Sequence, residues 1–319
     1  MNKEFRIVFM GTPEFAIPSL SILIENGYHI VGIVTAPDKP AGRGRNIQES
    51  PVKIYAKSKN LTILQPTNLK DPEFINNISA LNANLQIVVA FRMLPQVVWE
   101  MPEFGTFNLH ASLLPNYRGA APINWVIING EKTTGITTFY INERIDTGDI
   151  LMQNKVEISP QDSAGTLHDV LQAQGAELVL KTVEGIDNDM LEKQAQIDFE
   201  TDNLKLAPKI YKEDCKLNWS SPAVQVFNKI RGLSPYPGAW TVLKDNKGKE
   251  QQLKIFEAEH SDRPLSAGAI ETDSNTYLLI GTSAGSISLK SIQIAGKKRN
   301  NIVDFLRGFR LDNTWRIHN

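Results

Sequence analysis

Cysteine is nearly absent from this chain: its 319 residues hold one, Cys215. That excludes an intrachain disulfide and a thiolate metal cluster. The setting Lys212-Glu-Asp-Cys-Lys216 puts no base beside the thiol, which therefore reads as a bystander. Long apolar runs are missing too. No window approaches the ~20 residues needed to cross a bilayer, and the apolar run at 6–10 is too short for the core of a signal peptide. No membrane role is expected, and the expected location is the cytoplasm. No Walker A sequence exists, and Gly11-Thr-Pro-Glu-Phe lacks the Gly-x-Gly-x-x-Gly that a dinucleotide site wants after the first strand. The histidines at 29, 110, 168, 260 and 318 are scattered without ligand spacing, so no metal site is expected.

Net charge is also small, at −1, which removes any global pull toward a polyanion. The distribution is less even. Residues 209–319 hold 17 Lys and Arg against 11 Asp and Glu, a net of +6, and residues 1–208 hold 17 against 24, a net of −7. A basic C-terminal part behind an acidic N-terminal part suggests that only the former faces a polyanion. A chance imbalance on a solvated surface is the plainer alternative.

The length favours two domains. Short Val- and Ile-rich runs at 6–10, 30–34, 85–90, 104–108 and 135–141 alternate with helical stretches such as 18–26, which reads as β-α-β units around a parallel sheet. In such sheets ligands bind beyond the carboxyl ends of the strands. Residues 35–51, rich in Pro, Gly and basic side chains, are expected to form no packed element, and so long a loop suggests a function. A polar stretch at 184–206 reads as a connection. Beyond it, short strands at 253–256, 276–280 and 286–294 suggest a five-stranded barrel of the oligonucleotide-binding type. The expected fold class is α/β, with a Rossmann-like parallel-sheet domain at 1–188, a linker at 189–206 and a small OB-like β-barrel domain at 207–319.

The chemistry concentrates between 108 and 149. Asn108 and His110, two apart on an extended segment, share a face. Ser112 would extend that face if the chain stays extended, and Leu113, Leu114 and Pro115 supply an apolar wall and a rigid turn. Asp146, in Arg144-Ile-Asp-Thr-Gly-Asp149, sits in a loop able to return to the same sheet edge. Singly these residues have ordinary readings: a turn-forming Asn, a satisfied core His. Together they form an acyl-transfer constellation, with an amide donor for an oxyanion, an imidazole, and a carboxylate to hold that imidazole charged and oriented.

At these residues the chain resembles the methionyl-tRNA formyltransferase family of folate-dependent formyltransferases. The resemblance rests on Val8-Phe-Met-Gly-Thr-Pro-Glu-Phe-Ala16, on Asn108 to Pro122 with Ser-Leu-Leu-Pro at 112–115 and Tyr-Arg-Gly-Ala-Ala-Pro at 117–122, and on Asp146-Thr-Gly-Asp149. It continues through Ala207-Pro-Lys-Ile210, Ile230 to Ala239, and Ala295-Gly-Lys-Lys298 with Asp304-Phe-Leu-Arg-Gly308. It implies transfer of the formyl group of 10-formyltetrahydrofolate to the α-amino group of methionine on initiator methionyl-tRNA, for translation initiation. It implies Asn108, His110 and Asp146 as the catalytic trio and Ser112, Leu113, Leu114 and Pro115 as folate contacts. Its tRNA-contacting loop falls on 37–45, with Arg43 and Arg45; apart from the resemblance, the clustered charge of Lys297, Lys298 and Arg299 in the basic tail suits tRNA phosphates, a solvated face being the plainer alternative. The implied partners are the tRNA and the folate co-substrate, with the chain acting as a monomer and without a metal. One departure is visible: this chain has Ala90-Phe-Arg-Met93 where family members often carry Ala-Tyr-Gly, in the stretch that borders the pterin pocket. From the residues alone, a formyltransferase for a small amine or an amino sugar, or a tRNA-binding module with a silent catalytic domain, stays open.

Overall fold

The computed structural model describes residues 4–41, 46–196, 204–309, 311 and 315–318. In chain order the first part holds β1 (Arg6–Gly11), α1 (Ile17–Glu25), β2 (His29–Val34), β3 (Lys39–Ala41), β4 (Asn46–Gln48), α2 (Pro51–Ser58), β5 (Ile63–Leu64) and α3 (Pro72–Ser79). It continues with β6 (Leu85–Val89), α4 (Gln96–Trp99), β7 (Thr106–His110), α5 (Pro122–Ile128), β8 (Thr133–Tyr140), β9 (Ile150–Glu157) and α6 (Ala164–Asp187). The chain forms two compact units that interleave in sequence. One comprises residues 1–119, 133–157 and 168–206; the other comprises 120–132, 158–167 and 207–319.

The first unit is built on a seven-stranded sheet in the order β5-β2-β1-β6-β7-β8-β9. Five of these strands run parallel, and the apolar runs of the central β1 and β6 are buried on both faces, as inner parallel strands require. The order reverses between β1 and β6, which makes the carboxyl edge there the natural ligand crevice. Beyond β7 the sheet changes character: β8 pairs antiparallel with β7, and β9 with β8. Edge strand β9 is apolar only near its ends and exposes Gln153 to Lys155 in the middle, so a search for apolar runs passes over it. β7 begins at Thr106, two residues later than the run at 104–108 suggests, because Gly105 turns the chain at φ +84°. His110 is therefore the last residue of β7, at the carboxyl edge.

Two expectations are corrected. Residues 35–51 do form an element: β3 and β4 pair as an antiparallel hairpin, Lys39 with Gln48 through Ala41 with Asn46. Its root is tied down. The Lys53 ammonium lies 2.5 Å from Asp38 Oδ2 and 3.0 Å from Glu49 Oε1, and Gln65 Nε2 donates to Asp38 Oδ1 at 2.8 Å. The Lys53 ammonium, with the Gln65 amide, holds the Asp38 carboxyl below its usual range. The second correction concerns 184–206. Helix α6 runs through Asp187 and spends its buried face on Leu171, Leu178, Val179, Val183 and Ile186. Gly175 lets it approach β7, since a Cβ there would lie 2.7 Å from Leu109 Cδ2.

The second unit contains α5 together with α7 (Ala223–Gly232), β10 (Ala239–Lys244), β11 (Glu250–Ser261), β12 (Ile270–Thr272), β13 (Leu278–Gly281), β14 (Ser286–Ile294), β15 (Asn300–Asn301), α8 (Ile302–Gly308) and β16 (Arg316–His318). Its sheet runs β12-β13-β14-β11-β10-β16, with β15 on β14, so it has more strands than the five expected. The Ile317 N–H donates to Gly268 O at 3.4 Å, just ahead of β12, which brings the two edges together into a nearly closed antiparallel barrel. Trp219 is fully buried in its core and donates its indole N–H to Thr241 Oγ1 at 3.0 Å. Asn124 of α5 donates to Gly232 O of α7 at 2.7 Å, so α5 belongs with this unit.

Candidate active site

The first two residues of the constellation owe their placement to β7. Pairing of Asn108 with Phe139 and of His110 with Thr137 fixes the register on the β8 side. The alternation of the strand then sets both polar side chains on one face. Among the described residues the half-buried Asn108 amide finds no hydrogen-bond partner. It is a spare donor beside a histidine.

His110 is 6% exposed. Its Nε2 lies 2.8 Å from the Tyr117 carbonyl oxygen, its Nδ1 lies 3.8 Å from Asp146 Oδ2, and the Phe139 ring meets it edge-on at 6.4 Å. A carbonyl oxygen can only accept, so Nε2 carries a proton. The neutral tautomer thus has its lone pair on Nδ1, the nitrogen on the Asp146 side. At 3.8 Å the Nδ1–Asp146 pair is a charge interaction and not a direct hydrogen bond.

The other half of the site is loop. Tyr117 adopts φ +61° and Gly119 φ +126°, which aims the Tyr117 carbonyl at the imidazole. The Gly119 N–H donates to Asp146 Oδ2 at 2.9 Å. Asp146 itself is left-handed, at φ +54°. Two residues on, only glycine fits: a Cβ on Gly148 would lie 1.7 Å from Tyr140 O.

Ser112 does not continue the face of β7. The strand ends at His110, and the buried Ser112 hydroxyl donates to Asn116 O at 2.7 Å. The 112–115 turn is stapled from β8 and β9. Thr137 Oγ1 donates to Ser112 O at 2.6 Å and accepts from the Leu114 N–H at 3.2 Å, while Gln153 Nε2 reaches Leu114 O at 2.9 Å. Leu114 is buried with Phe139 and Ile150; Leu113 packs against Gly135; and Pro115 follows a cis peptide bond. Thr137 and Gln153 escape a motif search because their role is set by register across strands.

The stretch that departs from the family pattern is also placed. Arg92 donates to the carbonyls of Thr67, at 2.9 Å, and Pro66, and so clamps the loop after β6 to the one after β5. It borders a cleft of about 430 Å³ that includes Met93, Leu94 and Glu143. Among the described residues no group of three or more His, Cys, Asp or Glu could hold a metal ion, and no helix is long and apolar enough to cross a membrane.

The expected tRNA contacts divide. Arg43 and Arg45 lie outside the described residues. Lys297 and Lys298 are exposed in the tail. Arg299 is engaged within the barrel, donating to Ser291 Oγ at 2.7 Å and Glu257 Oε1 at 2.5 Å over the Phe256 ring.

Comparison with known proteins matches these two parts separately. The model of the formyl transferase family covers residues 5–183, and that of the formyl transferase C-terminal domain covers 209–310. The methionyl-tRNA formyltransferase of Bacteroides thetaiotaomicron is 50% identical over the whole of both chains. That of Parabacteroides distasonis is 51% identical over 97% of this chain and 98% of its own. Among solved structures, the N-formyltransferase from Helicobacter canadensis, in complex with folinic acid and dTDP-3-aminofucose, superimposes with a TM-score of 0.63. It is 20% identical over 93% of this chain and all of that one, and so shares the fold. The chain therefore belongs to the formyl transferase family, and its full-length likeness is to the methionyl-tRNA formyltransferases.

Proposed function

We propose that this transferase moves the formyl group of 10-formyltetrahydrofolate to the α-amino group of methionine on initiator methionyl-tRNA, in the cytoplasm, for translation initiation. The observation that carries the reading is half-identity from end to end with methionyl-tRNA formyltransferases, over a chain whose Asn108, His110 and Asp146 converge on one sheet edge. In this reading residues 1–188 are catalytic, 189–206 connect, and 207–319 bind tRNA. The stapled turn Ser112 to Pro115 contacts folate through its backbone and Leu113. Arg43 and Arg45, with Lys297, Lys298 and Arg299, meet tRNA phosphates by charge.

The amine nitrogen attacks the formyl carbon, and the carbonyl oxygen gathers negative charge. The Asn108 amide, which has no other described partner, donates to that oxygen; one such donor typically contributes ~2.7–4 kcal/mol. His110 takes the amine proton on Nδ1, because Nε2 is committed to Tyr117 O. Asp146 stabilises the resulting imidazolium. As the bond from the formyl carbon to N10 breaks, His110 returns the proton to N10 and is regenerated. These steps use protein groups alone.

The test is a formyl-transfer assay with 10-formyltetrahydrofolate and three acceptors: initiator methionyl-tRNA, elongator methionyl-tRNA and a dTDP-linked amino sugar. Transfer is expected to the first and far less to the others. Equal rates on the two tRNAs would overturn the initiator assignment, and transfer to the sugar alone would overturn the tRNA assignment.

A further inference from the structure

The connection between α6 and the barrel unit carries a side chain that touches both loops of the site. Gln194 pairs with Ile150 at the start of β9, each N–H donating to the other's carbonyl at 2.9 and 2.8 Å. That pairing delivers Gln196 to the Asp146 loop. Gln196 Nε2 donates to Asp146 O at 3.1 Å and to Gly148 O at 2.7 Å. Its Oε1 accepts from Arg118 Nε at 3.2 Å and Nη2 at 2.7 Å. Chemistry dictates this orientation of the amide, since carbonyls only accept and a guanidinium only donates.

We propose that Gln196 is a positioning residue for the His110–Asp146 pair. Arg118 belongs to the turn whose Tyr117 carbonyl holds His110 Nε2, and Gly119 of the same turn donates to Asp146. The Asp146 loop has left-handed backbone and no ladder of its own at 146–148. Gln196 is thus the crosspiece that joins the turn orienting the imidazole to the loop carrying the carboxylate. Without it the Gly119 N–H still holds the Asp146 carboxylate, but the backbone of the Asp146 loop loses this anchor and the 3.8 Å separation is held less firmly. The proposal rests on reading His110 and Asp146 as the reacting pair. It predicts an effect on turnover, with binding of either substrate little changed.

The experiment uses the full chain with Gln196→Met, which keeps length and removes both polar groups, and Gln196→Glu, which keeps the Arg118 contact but sets a carboxylate against two carbonyls. Two measurements are made. One is the ring-¹⁵N NMR spectrum of His110 in free protein at alkaline pH, assigned by His110→Gln, which reads which ring nitrogen carries the proton. The ring faces the Tyr117 carbonyl, the Phe139 edge and Asp146, with Arg118 on the adjoining turn. The Tyr117 carbonyl keeps the proton on Nε2, so a shift of its turn lets the Nδ1–H tautomer form. The wild type is expected to show the Nε2–H form, and Gln196→Met to draw the two ring ¹⁵N shifts together as the tautomers mix. The other is steady-state kinetics: kcat should fall at least about tenfold, with both KM values within about twofold, and Gln196→Glu should not restore it. A folded Gln196→Met with the wild-type tautomer and near-normal kcat would overturn the proposal. Full rescue by Glu would overturn it too, since the Arg118 contact alone would then suffice. The tautomer measurement needs no turnover: if the wild type transfers no formyl group but the tautomer still changes in Gln196→Met, the functional reading fails and the positional one stands.

Discussion

Asn108 and His110 stand on a strand, whereas Asp146 stands on a loop, and the two halves of the site are held by different physics. On β7 the alternation of the pleat and the ladders, to β6 and β8 at Asn108 and to β8 at His110, fix both side chains at once. Around Asp146 the backbone departs from regular structure at Tyr117, Gly119 and Asp146 itself. Single contacts hold it instead: Gly119 to Asp146 and the Gln196 amide to both loops. A strand positions by repetition, so it tolerates the loss of one contact. A loop positions by a few contacts, each of which has to be right.

The largest expected effect treats the halves alike, because it removes the functional groups themselves. Asn108→Ala and Asp146→Ala should each lower kcat by about 100- to 1000-fold, the range for one oxyanion donor or one proton-transfer partner. The far-ultraviolet circular dichroism spectrum should be retained. Near-normal turnover in either variant would remove that residue from the mechanism.

The strand half was open to reading from sequence, and the loop half only in part. Val- and Ile-rich runs located β1, β2, β6 and β8 to within two residues, and the spacing of Asn108 and His110 put them on one face. The hairpin of β3 and β4 escaped because its strands are three residues each and one contains Pro40, a residue that ladders disfavour. Most of α6 escaped because Gly175 and Gly185 interrupt it, each costing about 1 kcal/mol against Ala in isolation; the burial of its apolar face offsets that. Ser112 was expected to extend the face of β7, but a hydroxyl can satisfy itself on a nearby carbonyl, here that of Asn116. The motifs at 117–122 and 146–149 marked the loops without revealing that backbone atoms, the Tyr117 carbonyl and the Gly119 N–H, do the orienting. Nothing local to Gln196 betrays its role, since its partners lie 48 to 78 residues away in sequence.

The two halves differ most clearly under the same small change, the addition of one methyl group. In Gly148→Ala the new carbon would lie 1.7 Å from the Tyr140 carbonyl oxygen, which is backbone and cannot step aside. The loop must separate from β8, against the Tyr140 N–H to Asp149 O bond of 2.9 Å. Overpacking of this kind costs about 3 kcal/mol, which for a unit of this size lowers the melting temperature by roughly 6–12 °C. Asp146 moves with the loop, so turnover should fall by more than about tenfold. A melting temperature within about 2 °C of wild type would show that the loop has slack that these contacts do not suggest.

Gly175→Ala is the smallest expected effect and the sharpest test of the strand half. Its new methyl would lie 2.7 Å from Leu109 Cδ2, on the residue between Asn108 and His110, so the clash is aimed at the strand that carries both. The obstacle, though, is the far end of a flexible side chain and not backbone. Leu109 can turn away at a cost of about 1 kcal/mol, and replacing a helical glycine by alanine returns about the same amount. Stability should therefore change by less than about 1 kcal/mol, read from urea unfolding. The ladders of β7, on both sides of Asn108 and on the β8 side of His110, should hold the two residues in place, so kcat should fall no more than about threefold while Gly148→Ala loses far more. If Gly175→Ala instead cost as much turnover as Gly148→Ala, the strand would hold its residues no more firmly than the loop does, and the contrast between the halves would fail.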